Sequence, residues 1–528
     1  MRDGGHVFSQ VPRADIPRSS FNRSHGHKTT LDAGLLVPVF VDEVLPGDTF
    51  NLKASIFARL ATPIVPVMDN MYMDMFFFFV PNRLLWDQWQ RFCGEQDNPG
   101  DSIDFLVPYV DHVSAAPVSL GMADYFGIPL RRCAPCAFPF RAYNLIFNEW
   151  FRDENLVNRA WFSHGDGPDL PEYFPLQRRG KRHDYFTSCL PWPQKGPGVE
   201  IPIASSAPVV ATSLTIGPTF NTYPGVGVGD QLDVTSSNFT VTHPTPGVGV
   251  NQLRWENPGL TADLTNATAA TINTLRQAFQ IQKLLERDAR GGTRYIELLR
   301  SHFGVVSPDA RLQRPEFLGG GSIPIHVNPV AQTSGSPPIA GGYTPTPQGN
   351  LAAFGVAAAG GIGFSKSFVE HGVILGLVSV RADMSYQQGL HKMWSRRSRY
   401  DFYWPAFAHL GEQSVLQREI FLEHEDAAGN TNDDVFGYQE RWAEYRYFPS
   451  KITGQFRSDS ALPLDVWHLA QKFDVPPKLD KTFIEENPPI DRVIAVPSEP
   501  HFLFDSHFTM KCTRPMPVYS VPGMIDHF

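Results

Sequence analysis

From Phe50 to Leu60 the side chains alternate in character. Phe50, Leu52, Ala54, Ile56, Ala58 and Leu60 fall on one side, Asn51, Lys53, Ser55 and Arg59 on the other, and Phe57 is the one misfit. Successive residues of a strand point to opposite faces, so a period of two predicts a strand with one face in a core and one toward water. The far end of the chain repeats the pattern, with Phe502, Phe504, Phe508, Met510 and Cys512 on one face and Asp505, His507, Thr509 and Lys511 on the other. Met71, Met73, Met75, Phe77 and Phe79 mark another strand, and Phe76 and Phe78 on its opposite face predict burial on both sides. Residues 372–380 read as a central strand. A chain that begins and ends in strands of this kind can close a barrel or a sandwich.

Proline (46) and glycine (43) are abundant among the 528 residues, which predicts frequent turns and few long helices. Four amphipathic helices are expected between the strands. One follows Asn82 with Leu85, Trp89 and Phe92 on a stripe, and one opens at Pro139 with Phe140, Tyr143, Phe147 and Trp150. A third carries Ile272, Leu275, Phe279 and Leu285; the fourth is capped by Thr293 and carries Ile296, Leu299 and Phe303. The hydrophobic content of 42% is enough for a large core and excludes a wholly disordered chain. Five cysteines, odd in number and thinly spread, argue against a disulfide framework. The first residues lack the apolar core of a signal peptide, and no apolar run reaches the ~20 residues of a membrane span, so no membrane insertion is expected.

Charge divides the chain. Residues 1–30 carry a local +3 on a chain of net −9, a basic arm expected to lie extended on something else because it holds too little apolar surface to fold alone. Residues 201–250 hold only Asp230 and Asp233 as charged residues, which predicts short β-structure in a large insertion. Residues 317–365 hold none; an interface with other copies and a flexible Gly/Pro/Ala loop are the two readings of such a stretch.

Motifs for chemistry are weak. Cys133 and Cys136 precede the Pro139 helix with the spacing of a redox pair, but no βαβ pattern surrounds them. His25, His27 and Asp32 faintly resemble a cupin metal set without its glutamate. No phosphate loop and no nucleophile elbow occur. Basic and aromatic residues interleave at 394–404, where Arg396, Arg397 and Arg399 stand beside Tyr400 and Trp404, and a compact basic cluster occupies 178–183. Arginine pairs with phosphates and aromatic faces stack unpaired bases, so such segments can hold single-stranded nucleic acid without reading its sequence. The competing readings are a solvated basic loop for 178–183 and core packing with surface ion pairs for 394–404.

Read together, several stretches resemble one family. They are Ser20–Pro38, the Met-Tyr-Met-Asp-Met-Phe-Phe-Phe-Phe run within Met71–Arg83, Pro-Glu-Phe-Leu-Gly-Gly-Gly-Ser at 315–322, Asp-Phe-Tyr-Trp-Pro at 401–405 and Glu-Arg-Trp-Ala-Glu-Tyr-Arg at 440–446. In order and spacing the chain is similar to the major capsid proteins of microviruses, in their gokushovirus branch of small single-stranded DNA phages. The resemblance implies an all-β viral jelly roll, two four-stranded antiparallel sheets with long loop insertions and a few short helices. The expected organisation is a basic arm (1–30), a first part of the jelly roll with helical insertions (31–197), a variable surface insertion (198–265), helices with uncharged Gly/Pro-rich interface loops (266–365) and a C-terminal part of the jelly roll (366–528). The implied role is structural rather than enzymatic, with no cofactor and no metal: copies of the chain close into an icosahedral shell, in the virion and first in the host cytoplasm, around a circular single-stranded DNA genome. Arg13, Arg18, Arg23, Lys28, Arg396, Arg397, Arg399, Tyr400 and Trp404 are the expected DNA contacts on the inner surface. A host surface receptor for the insertion and minor or scaffolding virion proteins complete the expected partners. The alternative from a different class is a carbohydrate-binding or glycosidase-type β-sandwich acting as a small oligomer.

Overall fold

The computed structural model describes residues 17–199, 272–291, 295–304, 313–335, 348–426 and 429–519, and in addition the backbone of the strands between 209 and 262. The chain divides into two compact units, one of Met1–Pro193 with Gly292–Phe528 and one of Gln194–Gly291.

In chain order the first unit opens with β1 (Ser19–Asn22), β2 (His25–Leu31), β3 (Val37–Val44), β4 (Thr49–Leu60) and β5 (Met71–Pro81). The second unit holds β6 (Val209–Ala211), β7 (Thr219–Tyr223), β8 (Gln231–Thr235), β9 (Asn238–Thr242), β10 (Gln252–Asn257) and β11 (Leu260–Ala262), paired β6–β11, β7–β10 and β8–β9, followed by the helix Ile272–Arg290. The first unit then resumes with the helix Tyr295–Phe303 and β12 (Glu316–Ala331), β13 (Leu351–Ser367), β14 (Gly372–Ala382), β15 (Glu412–Leu416), β16 (Val435–Glu440) and β17 (Phe502–Arg514).

The expected all-β sandwich is present. One sheet has the order β3-β14-β5-β12 and the other β12-β13-β4-β17, every neighbouring pair antiparallel. A single strand belongs to both: β12 pairs with β5 as far as Ile325 and with β13 from His326 onward. Between the sheets pack Phe50, Leu52 and Ile56 of β4, Met73, Met75 and Phe77 of β5, and Phe502, Phe508 and Met510 of β17. Phe57 is no exception to the alternation after all; it obeys it as an exposed ring on the outer face. The outer face of β5 is covered as well, for Phe78 and Val80 join Leu375 and Leu377 of β14 beneath the helix Phe138–Ile146, whose Phe140 and Tyr143 point inward. Pro139 at the first turn and that apolar stripe are what make this segment helical. The Asn82 segment yields only a short turn and the four-residue helix Trp89–Phe92. Helices Ile272–Arg290 and Tyr295–Phe303 form where expected; Thr293 lies outside the described residues.

Two expectations are revised. The uncharged stretch assigned to interface loops contributes β12 and β13, two long strands at the join of the sheets. Its glycines serve close approach: a Cβ on Gly363 would lie 1.9 Å from the Leu52 carbonyl oxygen, and one on Gly319 would lie 2.6 Å from that of Gly363. The basic arm from Ser19 onward lies on its own chain, with β1 and β2 both pairing with the edge of β17 and satisfying backbone groups left open there.

Candidate nucleic-acid and assembly surfaces

Each described cation of the arm is held by the sandwich it lies on. Arg18 donates to the Gly47 carbonyl at 2.5 Å and to Thr49 Oγ1 at 3.2 Å. Arg23 pairs with the buried Asp42 at 2.6 Å, and Lys28 pairs with Asp505. The Lys28 pair is exposed on both sides, where such a contact contributes at most about 1 kcal/mol and exchanges readily for another anion. Arg13 lies outside the described residues.

The 394–404 strip follows a turn at Lys392–Ser395, capped by the His391 ring accepting from the Met393 amide at 3.2 Å. The next turn, Arg399–Asp401, is fixed by the Asp401 carboxylate, which accepts from the amides of Ser398 (2.6 Å) and Arg397 (2.8 Å) and is thereby held below the usual carboxylate range. This geometry sorts the three arginines. Arg396 turns inward with only 10% of its side chain exposed, 3.1 Å from Glu444 and stacked 4.2 Å over Tyr445. Arg397 is exposed and makes no side-chain ion pair among the described residues. Arg399 is exposed and lies 4.9 Å over the ring of Trp404, whose Nε1 donates back to the Arg399 carbonyl. Tyr400 and Trp404 are both exposed, as are Trp394, Phe402 and Tyr403. Two cations and a group of open rings thus share one surface, while Arg396 belongs to the structure beneath it.

Tyr445, Tyr447 and Phe448 extend the same aromatic surface and were not singled out from the sequence. The density of rings in 442–448 is a signal that could have found them, but their closeness to 394–404 comes from the fold: Tyr403 packs on Trp442 at 5.7 Å and on Tyr445 at 6.3 Å.

The 178–183 cluster is neither a solvated loop nor an open binding patch. Arg178 donates to the carbonyls of Ala33 and Glu486, and Arg179 reaches Asp74 at 2.5 Å while covering the Phe76 ring at 4.7 Å. Lys181 is buried, donating to Gln471 at 2.7 Å over the Phe483 ring, and burial lowers its pKa to about 8. Arg182 pairs with Asp383 at 3.1 Å. The cluster ties Ala33 between β2 and β3, Asp74 of β5 and Asp383 just beyond β14 to the segment 471–486. Cys133 and Cys136 are free thiols, and desolvation pushes Cys136 up, away from the thiolate a redox pair needs. His25 stacks on Phe40 with centroids 5.8 Å apart, and among the described residues no three His, Cys, Asp or Glu side chains gather as metal ligands. No described helix is long and apolar enough to cross a membrane.

Comparison with known proteins places this geometry. The family described as capsid protein (F protein) matches residues 9–524. Capsid protein VP1 of Bdellovibrio phage phiMH2K is 50% identical over 100% of this chain and 99% of its own length. Capsid protein VP1 of Chlamydia phage 1 is 43% identical, and that of Spiroplasma virus 4 is 35% identical, each over 98% of this chain and 97% of its own length. With a jelly-roll sandwich on one side and end-to-end similarity to phage capsid proteins on the other, the chain belongs to the capsid protein (F protein) family of the Microviridae and is a structural protein of the virion that assembles with copies of itself into a shell.

Proposed function

We propose that the shell is icosahedral, of the simplest symmetry, and encloses a circular single-stranded DNA genome that the chain holds through phosphate contacts and base stacking. The observation that carries the reading is the surface at 397–404, where Arg397 and Arg399 stand exposed beside the open rings of Tyr400 and Trp404. Open guanidinium groups neutralise phosphates and open rings receive unpaired bases, so affinity is salt-sensitive and almost independent of sequence. To the arm residues Arg13, Arg18, Arg23 and Lys28 we assign the same phosphate-binding role; of the two that pair with a carboxylate, Lys28 gives up less in exchanging it for a phosphate, because its pair is exposed on both sides.

The test is binding of a single-stranded oligonucleotide against salt concentration. Arg397→Ala with Arg399→Ala is expected to weaken binding uniformly across sequences and to reduce the slope of log K on log salt by about 1.4, at about 0.7 for each phosphate released. An unchanged slope would remove the strip from the genome-binding surface. Arg18→Ala, Arg23→Ala and Lys28→Ala together are expected to reduce packaging at physiological salt; loss of empty shells as well would assign the arm to contacts between subunits.

The insertion expected at 198–265 falls within the separate unit Gln194–Gly291. A body folded on its own contacts is suited to project from a shell, and we assign it to attachment at the host surface. Its deletion is expected to leave assembly intact and to reduce adsorption to cells, whereas failure to assemble would make it part of a subunit interface.

A further inference from the structure

Beside the aromatic surface the chain encloses a cavity of about 250 Å³, close to the roughly 300 Å³ at which small-ligand pockets begin. Its mouth is formed by Trp394, Tyr447 and Phe448, all well exposed, with Trp394 at 67% and Phe448 at 61%. Rings that open do not add to the core, yet Phe448 is held in place. His391 stacks on Phe448 with centroids 4.8 Å apart and planes 23° from parallel, and Lys451 sits 5.6 Å above the same ring. The floor is apolar and aromatic, from Tyr185, Phe186 and Tyr386. The rim is basic, since Lys451 and Arg457 line the cavity, are exposed, and make no ion pair among the described residues.

Two carboxylates also line the cavity, and their pairing decides what it can take. Glu419 accepts from Tyr185 Oη at 2.9 Å and lies 3.5 Å from Lys392; Glu444 accepts from Gln413 at 2.7 Å and pairs with Arg396 at 3.1 Å. Both are neutralised from within, so the floor has no free charge with which to draw in a cation. Tyr386 is likewise occupied, donating to Asp184 at 2.5 Å. A flat, neutral aromatic group fits such a floor, and an anionic group attached to it fits the rim.

We propose that this cavity receives one unpaired base of single-stranded DNA, stacked against Trp394 and Phe448, with the flanking phosphates at Lys451 and Arg457. The proposal rests on the genome-binding reading of the neighbouring strip and extends it from phosphate neutralisation to a defined place for a base. Because the polar side chains at the floor already have partners, the cavity accepts a base by shape and stacking without choosing among bases, as a genome-coating protein requires.

The experiment compares, on the full-length chain at fixed low salt, the anisotropy of a labelled short thymidine oligomer with that of an abasic backbone of equal length. The native chain is expected to favour the base-bearing oligomer by about tenfold, the effect of a single stacked base. Trp394→Ala with Phe448→Ala is expected to lower that preference several-fold, to the share left by Tyr400 and Trp404, while leaving abasic binding unchanged, and Phe448→Trp, which preserves a ring, is expected to keep it in full. If the preference survives undiminished in the double variant, the cavity is not the base site although the genome reading stands; if both oligomers bind equally to the native chain, the cavity is not a base site and only the phosphate contacts of the genome reading stand. If neither oligomer binds, the genome reading fails and the cavity assignment with it. If the double variant retains the full preference but no longer forms shells, the cavity belongs to a neighbouring copy of the chain, which also overturns the proposal.

Discussion

Among the described residues Arg141 is the most deeply buried cation, and its removal gives a sharp test of how the helical layer is held. It sits on the helix Phe138–Ile146 with its side chain fully enclosed, donating from Nε and Nη2 to the two carboxylate oxygens of Asp169 at 2.7 and 2.8 Å and from Nη1 to the Leu85 carbonyl at 3.0 Å. Asp169 is 3% exposed, and this guanidinium is what compensates its charge. Arg141→Met therefore leaves a buried carboxylate without its partner, a change that costs about 3–5 kcal/mol. Against a whole-domain stability of about 5–15 kcal/mol, that is a large share. Native-state hydrogen exchange of the 138–146 amides reads the loss locally, without requiring the whole chain to unfold in one step. Arg141→Met combined with Asp169→Leu removes both charges and is expected to recover most of the loss, since an apolar pair of similar volume replaces a buried ion pair at little cost. A single variant costing under about 1 kcal/mol, or a double variant as unstable as the single, would refute the reasoning.

Gly363→Ala pushes a methyl group into the Leu52 carbonyl at the β13–β4 contact and is expected to cost at least about 2 kcal/mol, read as a lowered urea midpoint. Asp74 lies between Arg179 at 2.5 Å and Arg381 at 2.9 Å. Burial raises its pKa, but the Ser322 hydrogen bond and the two guanidinium groups outweigh burial and hold it below the usual range. A depressed folded-state pKa contributes stability that is present above the unfolded value of about 3.9 and lost as pH falls through the folded one. Asp74→Asn is therefore expected to be less stable than the native chain at neutral pH and to lose part of its dependence on acid; an acid limb of unchanged depth in denaturation midpoints measured against pH would contradict this.

Strands β4, β5, β14 and β17 were legible because each keeps one partner sheet along its whole length, so its side chains follow one rule of burial throughout. β12 and β13 were not. β12 changes sheets at Ile325 and His326, so its two halves answer to different neighbours, and glycines needed for close approach at 319 and 363 read in sequence as loop. The candidate surface divides for a related reason. Arg178, Arg179, Lys181 and Arg182 look like an open basic patch until Asp74, Gln471, Asp383 and the Glu486 carbonyl arrive from distant segments to occupy them. Arg396 and Arg397 are adjacent and alike in sequence, yet Glu444 and Tyr445 draw one inside and leave the other in water. On an acidic body a cation's fate is set by which carboxylate the fold brings to it, and local composition cannot report that. The arginines for which the fold brings none lose no internal ion pair on meeting a phosphate. That places the genome-binding assignment on Arg397 and Arg399 before the more numerous basic residues of 178–183, an order that substitution of either group in the salt-dependent binding assay will establish or reverse.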